Sequence, residues 1–208
     1  LHVTLTDLDP QAVAKAIGRA SAFFDKRFHS TFDRRDALDR LIADFEGAGV
    51  GHADLVIEAV AEKVEAKRNV FEAVASRIKP QAILATNTSS IPLETLREGL
   101  AAPERFVGLH FFNPVTRMEL VELVAHDGTS EEIMQRVRAF CGDIARLPAP
   151  VRSAPGFLVN RALTPYLMEA LVMFDEGVPR EEIDRAAKDF GMPMGPLELA
   201  DRVGLDIC

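Results

Sequence analysis

Cysteine is scarce in this sequence, which has two in 208 residues, Cys141 and Cys208. Two cysteines are too few for a disulfide framework, and no cluster of cysteines and histidines has the spacing of metal ligands. Cys141 lies in an apolar helical stretch, where a small core residue is the simpler interpretation. We therefore expect a chain without a metal site that works in a reduced, cytoplasmic compartment.

Tryptophan is absent and tyrosine occurs once, so the aromatic platforms on which nucleic-acid bases stack are missing. Lysine and arginine number 24 against 32 aspartates and glutamates, which gives a formal net charge of −8. This acidic balance argues against nucleic acid as a partner. No apolar run approaches the roughly 20 residues that a transmembrane helix needs, so no membrane-spanning segment is predicted.

The glycine loop Gly-x-Gly-x-x-Gly, which cradles a dinucleotide pyrophosphate, does not occur in the sequence. The first residues nevertheless alternate like a strand that ends at Asp7. In a dinucleotide-binding unit, an acidic residue about 20 positions beyond the glycine loop binds the adenosine ribose. The loop would then fall before residue 1. Taken alone, Asp7 is more simply interpreted as a turn or capping residue.

The first two-thirds of the chain alternates short β-rich runs with helical patterns, which is typical of α/β proteins with a largely parallel sheet. Strands are predicted at 3–6, 54–58, 82–86, 106–110 and 119–124. Helices are predicted at 10–27, 34–45, 64–78, 94–100, 130–144, 157–176, 180–190 and from 196 onward. Because Pro155-Gly156 breaks the chain and only helical spacing follows, we place a domain boundary near Ser153, between residues 1–152 and 153–208.

One histidine, His110, lies among apolar residues at a predicted strand end, in Gly108-Leu-His-Phe-Phe-Asn-Pro. Glu122 follows on the next predicted strand. A carboxylate opposite a histidine in this position orients the imidazole as a general base. A single histidine is more often structural, so other polar positions have to decide between the two interpretations.

Further polar residues follow apolar segments. Asn87-Thr-Ser-Ser90 comes after a predicted strand, at the edge where open α/β sheets bind ligands, although a capping cluster explains it as well. Asn160 lies in the first turns of a long helix, where its amide binds either a ligand or a backbone group at the interdomain joint. Glu58, Glu62 and Lys67 follow another strand end and are either a solvated helix face or ligand contacts.

Five segments occur together in one order: Leu-Val-Ile-Glu-Ala-Val-Ala-Glu62, Asn87-Thr-Ser-Ser-Ile-Pro, Gly-Leu-His110-Phe-Phe-Asn-Pro-Val, Pro-Gly-Phe-Leu-Val-Asn160-Arg and Pro193-Met-Gly-Pro. They resemble the L-3-hydroxyacyl-CoA dehydrogenase family over nearly the whole chain. The segment Asn113-Pro-Val-Thr-Arg-Met118 is most similar to the dehydrogenase part of the multifunctional α-subunit of bacterial fatty acid oxidation. The resemblance implies an α/β fold, with a Rossmann-type domain followed by part of an all-α substrate domain.

The resemblance also implies a role for each matching residue. His110 matches the family's catalytic base and Glu122 its carboxylate partner, while Ser89 and Asn160 match residues that contact the substrate oxygens. Positions that touch NAD are matched by Asp7, Glu62, Lys67 and Asn113, with Ser89 near the nicotinamide. The implied reaction is oxidation of (S)-3-hydroxyacyl-CoA by NAD to 3-oxoacyl-CoA in fatty acid β-oxidation.

Two departures from the family accompany the resemblance. The first strand and the glycine loop are missing, so we expect this chain alone to bind NAD poorly, and the helical domain stops early. We interpret the chain as a fragment of a protein that forms a homodimer or part of a multienzyme complex. The alternatives are a dedicated 3-hydroxybutyryl-CoA dehydrogenase and a non-catalytic assembly or dimerisation module. The other histidines, His126 among them, are interpreted as surface or loop residues.

Overall fold

A computed structural model describes residues 1–203 of the chain. They form two compact units. The first consists of Leu1–Val56 with Ala73–Ala82, and the second of Ile57–Glu72 with the residues from Ile83 onward. Strand β3 (Leu55–Glu58) and helix α3 (Val64–Ala75) each contribute residues to both units.

The first unit begins with strand β1 (Val3–Leu5) and helix α1 (Pro10–Arg27). The start of α1 is the one that the sequence predicts. Asp9 caps the helix because its side chain accepts a hydrogen bond from the Gln11 N–H at 2.9 Å. Pro10 occupies the first helical position, where the missing N–H has no partner to lose.

The predicted helix at 34–45 is wrong in its second half. Helix α2 spans Thr31–Asp39, and strand β2 (Leu41–Ala43) follows almost at once and pairs in parallel with β1. A strand of three residues is too short to show clear alternation, and its apolar residues also continue the helical spacing before them. Pairing with β1 makes residues 41–43 a strand, and the local sequence pattern does not predict this pairing.

A five-stranded sheet has the order β3-β4-β5-β6-β7, and its strands β4 to β7 belong to the second unit. The remaining strands and the helices beside them are β4 (Ile83–Thr86), α4 (Leu93–Leu96), β5 (Phe106–Phe111), β6 (Leu120–Ala125), α5 (Glu131–Asp143) and β7 (Leu147–Arg152). The pairs β4–β5 and β6–β7 are parallel, whereas β5–β6 is antiparallel. A mostly parallel sheet with flanking helices confirms the predicted Rossmann-type α/β class.

Strand β7 is absent from the sequence prediction because two prolines, Pro148 and Pro150, hide it. Proline has no N–H to donate and is found in sheets only at edges. The backbone N–H groups of Leu147 and Ser153 donate at 2.8 Å to the carbonyls of Glu119, just before β6, and of Ala125, at its end. The backbone nitrogens of successive residues in a strand point alternately to its two neighbours. The nitrogens of Pro148 and Pro150 therefore point away from β6, to the edge of the sheet where β7 has no partner strand.

Strands β5 and β6 approach closely at Gly108. A Cβ atom added there would lie 2.7 Å from Cβ of Val124, the residue opposite on β6. Only glycine fits this approach without displacing Val124. Two residues further along each strand, on the same face of the sheet, His110 stands opposite Glu122.

A helical segment completes the second unit, with α6 (Val159–Asp175), α7 (Arg180–Phe190) and α8 (Pro196–Val203) close to their predicted positions. The helices pack around a buried cluster of Ala170, Ile183 and Leu197. Helix α7 also caps α8, because Oδ1 of Asp184 accepts a hydrogen bond from the Leu197 N–H at 2.9 Å. The domain boundary near Ser153 stays a prediction.

Cys141 is buried in α5, as expected for a core residue, and burial raises the pKa of its thiol. Cys208 lies outside the described residues. Within residues 1–203, none of the helices is long and apolar enough to cross a membrane. In the same part of the chain, no group of three or more histidine, cysteine, aspartate or glutamate side chains is arranged to hold a metal ion.

Candidate active site

The imidazole of His110 and the carboxylate of Glu122 meet across strands β5 and β6. Nδ1 of His110 lies 2.7 Å from Oε2 of Glu122, and the two residues are 6% and 0% exposed. An ionised carboxylate only accepts hydrogen bonds, so Nδ1 carries a proton and donates a hydrogen bond to Glu122. In the neutral ring, Nε2 is then the nitrogen with a free lone pair.

Glu122 also holds the start of helix α6. Its Oε1 accepts hydrogen bonds from the backbone N–H groups of Leu158 and Val159 at 3.0 and 2.9 Å. N–H groups at a helix start lack intrahelical acceptors and favour a negative charge. Burial raises the pKa of Glu122, but the hydrogen bonds from His110, Val159 and Leu158 outweigh burial and leave the pKa below its ordinary value. Glu122 is therefore an anion shared between His110 and α6.

Two phenylalanines that the sequence analysis missed pack against His110. The ring centroid of Phe112 lies 4.6 Å from that of the imidazole, and the centroid of Phe157 lies 5.7 Å away in an edge contact. Phenylalanines in apolar runs are ordinary core residues, so nothing in the sequence marks these two as neighbours of the histidine. The Pro155-Gly156 pair before Phe157 signals a turn, but not its direction.

The structure brings together Asn160 and Ser89, the two residues that the resemblance matches to substrate contacts. Asn160 lies in the first turn of α6, and its Nδ2 donates to the backbone carbonyl of Ser89 at 3.3 Å. Ser89 belongs to the loop that follows β4. This loop is tied to β5 because Oδ1 of Asn87 accepts a hydrogen bond from the Phe111 N–H at 2.9 Å. His110, the loop and the start of α6 thus share the carboxyl edge of β4 and β5.

Glu62 fastens the same loop. Its Oε1 accepts hydrogen bonds from the Thr88 hydroxyl at 2.6 Å and from the backbone N–H groups of Ser89 and Ser90 at 2.9 and 3.1 Å. Burial raises the pKa of Glu62, but these hydrogen bonds and the charge of Lys67 bring it down to about 2. Glu62 is therefore ionised at physiological pH and fixes the backbone on which Ser89 stands.

Lys67 is buried, with 1% of its surface exposed, and so is Glu58. The Lys67 ammonium lies 2.9 and 3.2 Å from the two carboxylate oxygens of Glu58 and 3.2 Å from Oε2 of Glu62. Oε2 of Glu58 also accepts a hydrogen bond from the Thr86 hydroxyl at 2.7 Å. The three donors of the ammonium therefore have protein acceptors. A solvated helix face is the wrong interpretation for Glu58 and Lys67.

The two other residues matched to NAD contacts are exposed. Asn113 follows the end of β5 and is joined to Pro114 by a cis peptide bond. Asp7 belongs to the first unit, where its Oδ1 accepts a hydrogen bond from the Asp9 N–H at 2.9 Å. This local turn is the simpler role that the sequence allows for Asp7. The contacts of both residues with NAD stay predictions.

His126 lies in the loop after β6, as one of the two interpretations expects, but it is not a surface residue, because it is 4% exposed. Its Nε2 donates to the Pro103 carbonyl at 2.9 Å, and its Nδ1 accepts a hydrogen bond from the Gly128 N–H at 2.9 Å. Burial and the charge of Arg97 lower the pKa of His126. His126 is thus a neutral histidine that joins backbone segments.

Both parts of the chain match known families. Residues 1–154 match the family described as 3-hydroxyacyl-CoA dehydrogenase, NAD binding domain. Residues 156–208 match the family described as 3-hydroxyacyl-CoA dehydrogenase, C-terminal domain. The cofactor expected from the sequence, NAD, is therefore the one that the matching domain binds.

Individual relatives agree with these matches. The fatty acid oxidation complex subunit alpha of Vibrio campbellii is 37% identical over 99% of this chain, which spans 30% of that protein. The crystal structure of 3-hydroxybutyryl-CoA dehydrogenase from Escherichia coli K12 is 38% identical with a TM-score of 0.92, covering 99% of this chain and 45% of that one. The (S)-3-hydroxybutyryl-CoA dehydrogenase of Ralstonia eutropha is 35% identical with a TM-score of 0.94, covering 100% and 75%. The chain belongs to the 3-hydroxyacyl-CoA dehydrogenase family.

Proposed function

We propose that the full-length protein oxidises (S)-3-hydroxyacyl-CoA thioesters to 3-oxoacyl-CoA with NAD⁺, as a step of fatty acid β-oxidation. The observation that carries the proposal is the buried pair of His110 and Glu122 at the carboxyl edge of the sheet. Oxidation of a secondary alcohol removes the hydroxyl proton and a hydride from the same carbon. A base with a fixed tautomer beside the alcohol meets the first requirement.

Nε2 of His110 is the atom that accepts the hydroxyl proton. The imidazolium formed in this step keeps its hydrogen bond to Glu122, so its positive charge faces a carboxylate. The backbone N–H groups of Leu158 and Val159 keep that carboxylate ionised throughout. NAD, when bound, supplies the acceptor of the hydride. In the reverse direction, the same nitrogen returns the proton to the oxygen.

Ser89 and Asn160 are proposed to position the substrate oxygens. They lie on a loop and a helix that contact each other directly, because the Asn160 amide donates to the Ser89 carbonyl. The Ser89 hydroxyl lies 3.3 Å from Oε1 of Glu62. Side chains on elements that are fixed to one another hold a substrate in a narrow range of orientations, which lowers the entropic part of the barrier.

The residues proposed to hold NAD fit it by the chemistry of their donors and acceptors. The Ser89 hydroxyl and the exposed Asn113 amide suit a nicotinamide carboxamide. Asp7 is an exposed carboxylate after a strand, the kind of group that binds ribose hydroxyls. Glu62 and Lys67 would serve the cofactor mainly by holding the loop that carries Ser89.

Turnover of the full-length protein tests the proposal. We expect NADH to form from NAD⁺ and (S)-3-hydroxybutyryl-CoA, and not from the (R) enantiomer, because a fixed base and a fixed hydride acceptor address one face of the carbon. The two enantiomers are measured at equal concentration. Turnover of neither enantiomer, together with no binding of NAD, would instead support the non-catalytic assembly module.

A dedicated 3-hydroxybutyryl-CoA dehydrogenase is a second candidate, favoured by the similarity to the Escherichia coli and Ralstonia enzymes. Thioesters of increasing chain length separate the two candidates. An enzyme of general β-oxidation keeps its kcat/KM as the acyl chain grows. A dedicated enzyme loses kcat/KM beyond the butyryl thioester, because its pocket has no room for further methylene groups.

We also propose that residues 1–152 form the NAD-binding domain and that 153–208 begin the helical substrate domain. The two family matches, to 1–154 and 156–208, support this division. A cytoplasmic homodimer or multienzyme complex is proposed for the full-length protein. The similarity to a subunit of an oxidation complex supports the complex, and sedimentation of the full-length protein tests it.

Replacing Lys67 by methionine is expected to weaken NAD binding and lower stability. The substitution leaves Glu58 buried without a counterion and frees Glu62 from one of its partners, and breaking a buried ion pair costs about 3–5 kcal/mol. Calorimetric NAD titration and urea unfolding measure the two effects. Lys63→Met, an exposed lysine nearby, is the matched control. Unchanged NAD affinity in Lys67→Met would show that the buried ions do not support the cofactor site.

A further inference from the structure

We propose that Phe157 is a positioning residue for the base, which locks the His110 ring and keeps water from its hydrogen bond to Glu122. The inference rests on the proposed function of His110 and adds to it a residue outside the catalytic pair. Three observations carry it: an unusual backbone conformation at Phe157, the packing of its ring, and the destination of the N–H groups that follow.

The backbone at Phe157 is left-handed, with φ of +48°, directly after Gly156 with φ of +71°. Glycine adopts such angles freely, whereas a phenylalanine is uncommon there because its Cβ is crowded by the backbone. Non-glycine residues in this region persist where the surroundings hold them, and they cluster at functional sites. Phe157 is 4% exposed, so its ring is packed inside the protein.

The left-handed pair directs two groups at the catalytic residues. It turns the ring of Phe157 against the imidazole in a T-shaped contact, with the centroids 5.7 Å apart and the planes at 60°. It also starts α6 so that the next two N–H groups, of Leu158 and Val159, reach Glu122. One turn therefore holds both members of the pair of His110 and Glu122.

The packing restricts how the imidazole moves. Phe112 contacts the ring with centroids 4.6 Å apart, Phe157 contacts it by an edge, and Glu122 binds Nδ1. Rotation of a histidine about its outer side-chain bond has a broad energy profile when the ring is free. Three neighbours at these distances hold one orientation and leave little room for water beside the Nδ1–H. In that orientation, Nε2 remains available to accept the proton of the substrate hydroxyl.

If Phe157 only fills space in the core, a different result is expected. Loss of its ring would lower stability, but the Nδ1–H of His110 would exchange with water as before and kcat would not change. Phe71 provides the comparison, because it is 1% exposed and makes an edge contact with Phe106 at 5.3 Å. It is thus as buried as Phe157 and lies in another aromatic pair.

The test measures exchange of the His110 Nδ1 proton by NMR in the full-length protein with ¹⁵N-labelled histidine. The signal is assigned by its loss in His110→Gln. We expect Phe157→Leu to speed exchange by about tenfold or more, because a local opening no longer has to displace the ring. Phe157→Asn is the second variant, since asparagine tolerates the left-handed backbone and replaces the ring with a small amide. Phe71→Leu should leave the exchange rate unchanged.

Kinetics supply the second readout. Both Phe157 variants should lower kcat by about tenfold and leave KM for NAD near its original value, whereas Phe71→Leu should leave both constants unchanged. If the Phe157 variants retain slow exchange and full kcat while His110→Gln is inactive, the inference about Phe157 is wrong and the proposed function stands. If His110→Gln is itself fully active, the proposed role of His110 as the base fails, and the exchange measurement alone reports whether Phe157 restrains the ring.

Discussion

Replacing His110 by glutamine in the full-length protein is expected to lower kcat by about 10²–10⁴-fold, the range that general base catalysis contributes. The amide of glutamine has nearly the reach of the imidazole and can donate a hydrogen bond to Glu122, so the pair is replaced with little change in volume. It has no basic nitrogen at the position of Nε2. The substrate hydroxyl then loses its proton to water, whose basicity is too low for the step.

The measurement is the initial rate of NADH formation with saturating (S)-3-hydroxybutyryl-CoA, and NAD affinity is titrated separately. We expect KM for NAD to change little, because His110 is not among the residues proposed to hold the cofactor. His126→Gln is the matched control, since His126 is a buried, hydrogen-bonded histidine of the same unit. It should lose stability and keep kcat. Full turnover by His110→Gln would remove His110 as the base.

Most of the fold is predictable from local pattern where that pattern has one interpretation. Helix α1 combines a capping aspartate, a proline at the first position and a long apolar face, and its observed bounds agree with prediction. The sequence pattern does not predict strands β2 and β7, for opposite reasons. Residues 41–43 are too few to show alternation, and 147–152 contain prolines that usually exclude a strand. In both, pairing with a distant strand decides the structure.

The candidate site divides in a similar way. The sequence predicts the pair of His110 and Glu122, because their strands are adjacent in the chain and a histidine opposite a carboxylate is typical of a general base. It predicts Asn160 and Ser89 only through resemblance, since residues so far apart in sequence leave no local sign that they touch. The contact of Phe157 with His110 depends on a left-handed turn, which a phenylalanine gives no reason to expect.

Lys67 shows a different limit. A charged residue after a strand end is usually solvated, and the sequence offers ligand contact as the alternative. The structure shows a third arrangement, in which Lys67 is buried between Glu58 and Glu62 and supports the loop of Ser89. Burial of a lysine is tolerated only with acceptors for its ammonium. Those acceptors lie at the carboxyl end of β3 and in the loop that follows it. The pattern of the segment around Lys67 alone does not predict that they surround its ammonium.

Replacing Glu122 by glutamine is expected to be nearly as damaging to kcat as loss of His110, at about 10²–10⁴-fold. The amide oxygen can still accept from Leu158 and Val159, so the amide nitrogen then faces Nδ1 of His110. Two N–H donors cannot face each other, and the ring must move its proton to Nε2. The nitrogen that should accept the substrate proton is then already protonated.

The same substitution should lower the free energy of unfolding at neutral pH by about 1.5–3 kcal/mol, the contribution of hydrogen bonds to a charged group. The sign of the pH dependence follows from the direction of the pKa shift. The folded pKa of Glu122 lies below its ordinary value, so the carboxylate stabilises the fold fully above the unfolded pKa of about 4.3. That contribution is lost as the pH falls through the folded pKa.

The difference in unfolding free energy between the original protein and Glu122→Gln should therefore be largest near neutral pH and shrink in acid. Urea unfolding at a series of pH values measures it. Glu119→Gln makes the same chemical change at an exposed glutamate just before β6 and should alter neither kcat nor the pH dependence. A Glu122→Gln protein with most of its original kcat would show that the tautomer of His110 is set by something other than this carboxylate. A difference in stability that grew in acid would contradict its being an anion held by α6.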